Sequence, residues 1–270
     1  MRLMIESFLA LGLIFASLAI PLALDAQWTA ASWALEGVGL YWVAARQRKG
    51  WVRAFALLLQ AGGGVNLLRA LSMPGAASPY FGWQTLIAGP ALSALMVGAS
   101  GLAIADLIRR HADRVSENEQ TLRPLLALWG LAFAHLVFPI LLDQRWTGIA
   151  FTLSGCTAVL IGLRVGNMGA YLFGSLVQVV GAALFATTDF SAEQAQPWLN
   201  LHLAGFLLIA VAGLISALAM HRHGNGAKTA DRAGDERDFA RIFAAAGLCW
   251  AVGWWWAAFE FEIAAHAGVY

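Results

Sequence analysis

The sequence predicts an all-α fold: a polytopic bundle of about nine transmembrane helices, arranged as two parallel four-helix repeats and one extra helix. Composition is the first observation behind this prediction, because 60% of the residues are hydrophobic and only 12% are charged. In a soluble domain about a quarter of the residues are charged. The other two observations are a series of apolar segments of spanning length and an internal sequence match at a fixed offset.

The apolar segments define the predicted spans. A helix needs about 20 apolar residues to cross about 30 Å of hydrocarbon. The segments that approach this length are Met4–Leu24, Thr29–Ala45, Trp51–Leu71, Thr85–Ile108, Pro124–Leu142, Thr147–Leu163, Gly169–Ala186, Leu199–Met220 and Phe239–Phe259. The second and the sixth are short, which predicts little tilt or a locally thin bilayer. The charged stretches at 109–123 and 221–238 are expected to be solvated linkers.

Lysine and arginine are concentrated in alternate loops, and positively charged loops stay on the cytoplasmic side of a membrane. With nine spans, only Arg69 and Arg145 of the 17 basic residues fall on the other side. This distribution predicts a protein of the inner (plasma) membrane whose N-terminus is cytoplasmic and whose C-terminus lies outside.

An internal match indicates a duplication. Residues 24–29 (LDAQWT) recur as residues 142–147 (LDQRWT), at an offset of 118. Over residues 12–68 this offset gives 17 identities in 57 positions, where composition alone would give roughly one in ten. Four helices return the chain to its starting side, so the copies are parallel, unlike the inverted repeats of many transporters. We predict one repeat at residues 1–118 and a second at 119–236.

The repeats also lead to expectations for the first span and for the last residues of the chain. The first span corresponds to the fifth, which is internal, so we expect it to be retained rather than cleaved as a signal peptide. Residues 237–270 are expected to hold a ninth span that begins a truncated third repeat, because Ala246-Gly247-Leu248 echoes Trp129-Gly130-Leu131.

One phrase of the sequence resembles a known family. The residues are Trp33-Ala34-Leu35-Glu36-Gly37, with Leu24-Asp25 before them and Leu57-Leu58-Leu59-Gln60 after them. They are similar to the predicted bacterial membrane proteins grouped as domain of unknown function 2339, which look like long arrays of helical spans with no established activity. The resemblance is closest over residues 20–70 and weaker over 138–186, where Ser154 replaces the glutamate. The chain is shorter than those proteins, so we expect it to be a segment of a longer array.

Polar side chains inside the predicted spans are the main candidates for a function, because such groups are costly in hydrocarbon. Glu36 and Gln60 are each nine residues from the basic turn that contains Arg46, so at 1.5 Å per residue they lie level on adjacent helices. Ser154 and Gln178 are the corresponding pair in the second repeat. The first pair is interpreted either as a polar site for a cation or proton, with Arg46 at its inner mouth, or as a hydrogen-bonded clamp between helices.

Carboxylates at the predicted outer face form a second group of candidates. Asp25 and Asp143 belong to the repeated Asp-x-x-Trp-Thr turn, and Glu260 and Glu262 lie near the outer end of the ninth span. Asp or Thr in such a turn can cap the following helix, and tryptophan prefers the membrane interface. The alternative is that the carboxylates face an exported or lipid-linked substrate.

The sequence excludes several functions. It has no concentrated basic patch for nucleic acid, and His135 and His202 have no second ligand at metal-binding spacing. We expect no catalytic residue, metal or cofactor, and the expected partners are the lipid bilayer and other membrane proteins. Three classes remain: a non-catalytic scaffold or partner-binding component, which we favour, a transporter or channel that uses Glu36 and Gln60, and a membrane enzyme acting at the outer face.

Overall fold

The computed structural model describes residues 26–72, 89–188, 200–226 and 233–266, with five single positions between residues 4 and 19. In this part of the chain all regular structure is helical. The helices in chain order are α1 (Ala26–Gln47), α2 (Gly50–Leu71), α3 (Pro90–Arg110), α4 (Glu117–His135), α5 (Val137–Leu141), α6 (Gln144–Val165), α7 (Met168–Ala186), α8 (Leu201–Gly226) and α9 (Ala233–His266).

The chain divides into two compact units, Met1–Leu142 and Asp143–Tyr270. In unit 1, α1 and α2 form one antiparallel hairpin and α3 and α4 form another, and α1 packs against α3. The buried core of this unit includes Leu67, Val97 and Phe133. The short helix α5 continues α4 after a break at Leu136, because Pro139 has no N–H to donate to the carbonyl four residues earlier.

Unit 2 has the same order of packing. The helices α6 and α7 form its first hairpin, α8 and α9 form its second, and α6 packs against α8. Its core includes Phe185, Phe206 and Ile209. The helix that follows the predicted second repeat, α9, thus packs along α8 as α4 packs along α3.

The turns of the two first hairpins use the same backbone conformation. Between α1 and α2, Arg48 has φ of 56°, and between α6 and α7, Gly166 has φ of 65°. These two residues are 118 positions apart. Glycine adopts this left-handed region without penalty, whereas a residue with a Cβ is strained there.

Three helices begin or end beyond the apolar segments that predicted them, so the prediction of linkers at 109–123 and 221–238 was wrong in part. The helix α4 begins at Glu117 rather than near Pro124, because Ser116 and Glu119 form a capping box. At the other linker, α8 continues to Gly226 and α9 begins at Ala233.

Seven segments of the described residues are long and apolar enough to cross a membrane. They are Gly50–Leu71, Pro90–Arg110, Glu117–Leu141, Gln144–Val165, Met168–Ala186, Leu201–Gly224 and Asp238–Ala264. The helix α1 covers the second predicted span but is not among them, since its charged, small and hydroxyl-bearing residues lower its mean hydropathy. The first predicted span, Met4–Leu24, lies outside the described residues apart from the single positions. The count of nine spans and the layout of the repeats stay predictions.

Candidate functional site

The two predicted intramembrane glutamines each join a second helix to a third helix of their unit. In unit 1, Gln60 is 1% exposed, and its Nε2 donates to the Val97 carbonyl oxygen on α3 at 3.0 Å. In unit 2, Gln178 is buried on α7, and its Nε2 donates to Ser216 Oγ on α8 at 2.9 Å. Both side chains therefore stabilise the packing of one hairpin against the other.

Close packing of the first hairpin brings each glutamine to this position. A Cβ added to Gly37 would lie 2.9 Å from the Ala56 carbonyl oxygen and 3.5 Å from the Gln60 backbone nitrogen. A Cβ added to Gly155 would lie 2.5 Å from the Gly174 carbonyl oxygen and 2.8 Å from the Gln178 nitrogen. Only glycine allows backbones to approach this closely. These contacts correspond at the 118-residue offset.

The other members of this predicted group lie in different environments. Glu36 lies half-buried on α1, and the Gln60 amide donates to the Val97 carbonyl oxygen. Ser154 Oγ donates to the Phe151 carbonyl oxygen of its own helix at 3.1 Å. Arg46 is exposed, with its guanidinium 4.3 Å from the centre of the Trp42 ring. A role for these residues in a shared ion site stays a prediction.

The predicted outer-face carboxylates have different environments. Asp25 lies outside the described residues. Asp143 is the N-cap of α6, and its Oδ1 accepts from the Trp146 N–H at 2.9 Å, so the capping prediction is confirmed there. Glu260 is exposed. Glu262 is 1% exposed and accepts from Asn200 Nδ2 at 3.2 and 2.9 Å.

A buried ion pair in unit 1 was missed by the sequence analysis. Arg53, at the start of α2, donates from Nε to both carboxylate oxygens of Glu119 at 3.0 Å. The Tyr41 hydroxyl lies 3.5 Å from Glu119 Oε2, and all three residues are buried. In the sequence, Arg53 counted only as one of the basic residues that predict the cytoplasmic side of the membrane. The Ser116-x-x-Glu119 pattern was a readable signal, because it predicts a helix start that brings Glu119 to this end of the unit.

Unit 2 contains a cavity of about 210 Å³ between α7, α8 and α9. The polar and aromatic side chains around it are Tyr171, Ser175, Gln178, Ser216, Phe243 and Trp250. A groove of about 180 Å³ lies at the Gln60 position of unit 1. Its lining is apolar apart from Gln60 and Trp129. Among the described residues, neither Gln60 Oε1 nor Trp129 Nε1 has a hydrogen-bond partner.

The two histidines of the predicted spans lie in different units, His135 on α4 of unit 1 and His202 on α8 of unit 2. The His135 ring nitrogen Nδ1 is 2.8 Å from the Leu131 carbonyl oxygen, and the buried His202 ring lies 5.8 Å from that of Phe261. In the part of the chain that the structure describes, no group of three or more His, Cys, Asp or Glu residues could hold a metal ion.

The comparisons with known proteins agree with the spans and with the resemblance at the start of the chain. Residues 1–88 match the family described as Predicted membrane protein (DUF2339). The predicted resemblance to DUF2339 is therefore confirmed for this part of the chain, which includes the first hairpin and Glu36. Neither a curated protein nor a solved structure matches the chain.

The DUF2339 match and the apolar helices together identify a multi-spanning membrane protein of unknown function. The matched region ends before α3, so the match does not extend to unit 2. The resemblance of residues 138–186 to DUF2339 stays a prediction.

Proposed function

We propose that the chain is a non-catalytic integral membrane component, a scaffold that binds other membrane proteins. One observation carries this proposal: the repeated intramembrane glutamines donate hydrogen bonds between helices, Gln60 to Val97 and Gln178 to Ser216. Polar side chains used in this way stabilise helix association in a bilayer. The predicted outer-face carboxylate Asp143 has a similar structural use as a helix cap.

The proposed architecture is a duplicated unit that presents the same helical hairpin twice. In support, α1 and α6 begin and end 118 positions apart, and the glycine contacts at Gly37 and Gly155 correspond at that offset. A repeat has no fixed starting point. The proposed repeats end at residues 118 and 236, with 237–270 as a further start, whereas the compact units divide after Leu142. Both divisions are compatible with one repeat length of 118 residues, because they begin counting at different points of the repeat.

The alternative functions make different use of the candidates. A transporter or channel for an ion or small solute would use Glu36 and Gln60, and a membrane enzyme would use Asp25, Asp143, Glu260 and Glu262 at the outer face. Two of these candidates have structural contacts, because Gln60 donates to the Val97 carbonyl oxygen and Asp143 accepts from the Trp146 N–H.

The test compares ion flux in proteoliposomes for the wild type and for Glu36→Gln, which keeps the side-chain shape and removes its charge. For a scaffold we expect flux of protons and monovalent cations equal to that of protein-free liposomes in both samples. Glu36→Gln should also retain the thermal stability of the wild type in detergent. Wild-type flux that Glu36→Gln abolishes, with stability unchanged, would establish the transporter and overturn the scaffold proposal.

A further inference from the structure

The cavity of unit 2 combines polar groups with an apolar wall in the middle of a predicted membrane span. Gln178 is ten residues after Met168, the first residue of α7, which places it about 15 Å along the helix. Ser175 lies about one turn before Gln178 on the same helix, and Ser216 faces them from α8. Val179, also in the lining, is 49% exposed, so the cavity opens on the surface of the unit that would face lipid.

The groove at the same position of unit 1 presents a different chemistry. The residue 118 positions before Ser175 is Leu57, which also lines its groove. The indole of Trp129 lies against Gly64, one turn after Gln60, and a Cβ at Gly64 would meet it at 3.0 Å or less. When Ala246-Gly247-Leu248 is aligned with Trp129-Gly130-Leu131, at an offset of 117, Ala246 takes the place of Trp129. Unit 2 therefore has a hydroxyl in place of a leucine and a methyl group in place of an indole.

These exchanges make the second cavity suited to a ligand. Small-molecule sites are mostly apolar and contain a few converging polar groups, and this cavity has Tyr171, Ser175, Gln178 and Ser216 among apolar and aromatic neighbours. Its volume of about 210 Å³ is below the range of about 300–1,000 Å³ for drug-sized ligands. It can hold a single substituted ring, whose remaining chain would extend along the lipid-facing surface.

The depth of the cavity restricts the chemistry of this ligand. A charged head group is costly at the centre of a bilayer, so phospholipids and fatty acids keep theirs at the interface. The ring must therefore be uncharged. The hydroxyl groups and the Gln178 amide can hydrogen-bond to oxygens on the ring, and the faces of Phe243 and Trp250 can pack against it.

We propose that this cavity binds a lipid-soluble quinone-type molecule: an uncharged oxygen-bearing ring held at Ser175 and Gln178, with an apolar chain that runs into the bilayer. The inference is independent of the scaffold function, since a scaffold and a transporter could each contain such a site.

The test measures binding of a decyl-substituted benzoquinone to the protein in lipid nanodiscs by equilibrium partition against protein-free nanodiscs. We expect saturable binding of one quinone per chain to the wild type. Ser175→Leu recreates the unit 1 residue and Ala246→Leu fills the space beside it. Each should weaken binding roughly tenfold, the effect of one lost hydrogen bond or of an obstructed cavity.

Leu57→Ser is the matched control in unit 1, because Trp129 remains in that groove, and it should bind as the wild type does. Decanoate, which has a charged head and no ring, should not compete with the quinone. No saturable binding to the wild type would overturn the proposal. So would equal affinity in a Ser175→Leu/Ala246→Leu variant that elutes as a single monodisperse species, or competition by decanoate at the same concentrations.

Discussion

Arg53 and Glu119, which are 66 positions apart in the chain, meet in a buried ion pair in which one N–H is shared between two carboxylate oxygens at 3.0 Å. The pair joins the start of α2 to the start of α4, so it ties the two hairpins of unit 1 together at one end. The Glu119 carboxylate also accepts from the Ser116 N–H at 3.2 Å. The same carboxylate therefore caps a helix and fixes its distance from α2.

Removal of one partner from this pair should be costly. Arg53→Met is expected to lower the free energy of unfolding by about 3 kcal/mol, since it leaves a buried carboxylate without its cation. Arg53→Met/Glu119→Gln should be more stable than Arg53→Met alone, because no buried charge remains. Denaturant unfolding in mixed micelles measures both. As a control, Arg109→Met in the exposed pair with Asp106 should cost less than about 1 kcal/mol; equal losses at Arg53 and Arg109 would contradict the argument.

The two glutamines should contribute similar, modest amounts to stability. Gln60→Leu and Gln178→Leu each remove one interhelical hydrogen bond, which in a bilayer contributes about 0.6–1 kcal/mol. Ser154→Ala is the control, because its hydroxyl bonds only to its own helix and its loss should be nearly neutral. Unfolding of the three variants in one micelle composition provides the comparison, and a Gln178→Leu variant as stable as Ser154→Ala would count against the clamp.

The close approach at Gly155 predicts a strong effect of a single methyl group. Gly155→Ala places a Cβ 2.5 Å from the Gly174 carbonyl oxygen, so α6 and α7 must separate at a cost of about 1–3 kcal/mol. Gly253→Ala places its Cβ where no other atom lies within 4 Å. That exchange should be neutral or should stabilise α9 by up to about 1 kcal/mol. The unfolding temperature should therefore fall for Gly155→Ala and stay level or rise for Gly253→Ala, and an equal fall for both would disprove the packing argument.

The left-handed turns predict that glycine is favourable at the same position in both units. Arg48→Gly should raise the free energy of unfolding by about 0.5–1 kcal/mol, because it relieves the strain of a Cβ at φ of 56°. Gly166→Ala should lower it by about 1 kcal/mol for the same reason. Arg48→Lys keeps both the charge and the strain and should be neutral. A destabilised Arg48→Gly would show that the arginine side chain makes a larger contribution than its backbone costs.

Topology remains a prediction that reporter fusions can test. Fusions after Lys49, Arg114 and Gly226 should report the cytoplasm, and fusions after Ala77, Gln194 and His266 should report the outside. The reason is the concentration of basic residues in alternate loops. An enzymatic reporter that is active on only one side of the membrane measures each position. A cytoplasmic signal after Gln194 would remove or add a crossing and so contradict nine spans.

The sequence was sufficient to locate the helices and to select Gln60 and Gln178, because apolar length and isolated polar residues are local properties. It could not supply the partners of those glutamines. The acceptor for Gln60 is the backbone carbonyl of Val97, and a carbonyl carries no sequence signal. Equal depth along the two helices predicted a contact between Glu36 and Gln60. That contact stays a prediction, because depth alone does not determine which face of a helix a side chain occupies.

An ion pair and a helix start in unit 1 were also missed, for two different reasons. The Arg53–Glu119 pair depends on the packing of α2 against α4, and each residue by itself looks like an ordinary charge near a helix end. The start of α4 was missed because the prediction followed hydropathy. The residue pattern contains the capping box that begins α4 at Glu117, but the apolar segment begins only at Pro124, seven residues after Glu117. Hydropathy marks the part of a helix inside hydrocarbon, whereas hydrogen bonding determines where the helix begins.

The conformation of Arg48 has a consequence for how this hairpin can change in evolution. Its charge is one of those predicted to direct the turn to the cytoplasmic side during insertion, while its left-handed backbone opposes the folded state. A mutation to glycine would relax the turn and weaken the topological signal in the same step. Unit 2 has glycine at the equivalent turn and Arg164 two positions earlier, which separates the two requirements. The first turn also contains Arg46 and Lys49, so a glycine at position 48 would relax the backbone and still leave two positive charges in the turn.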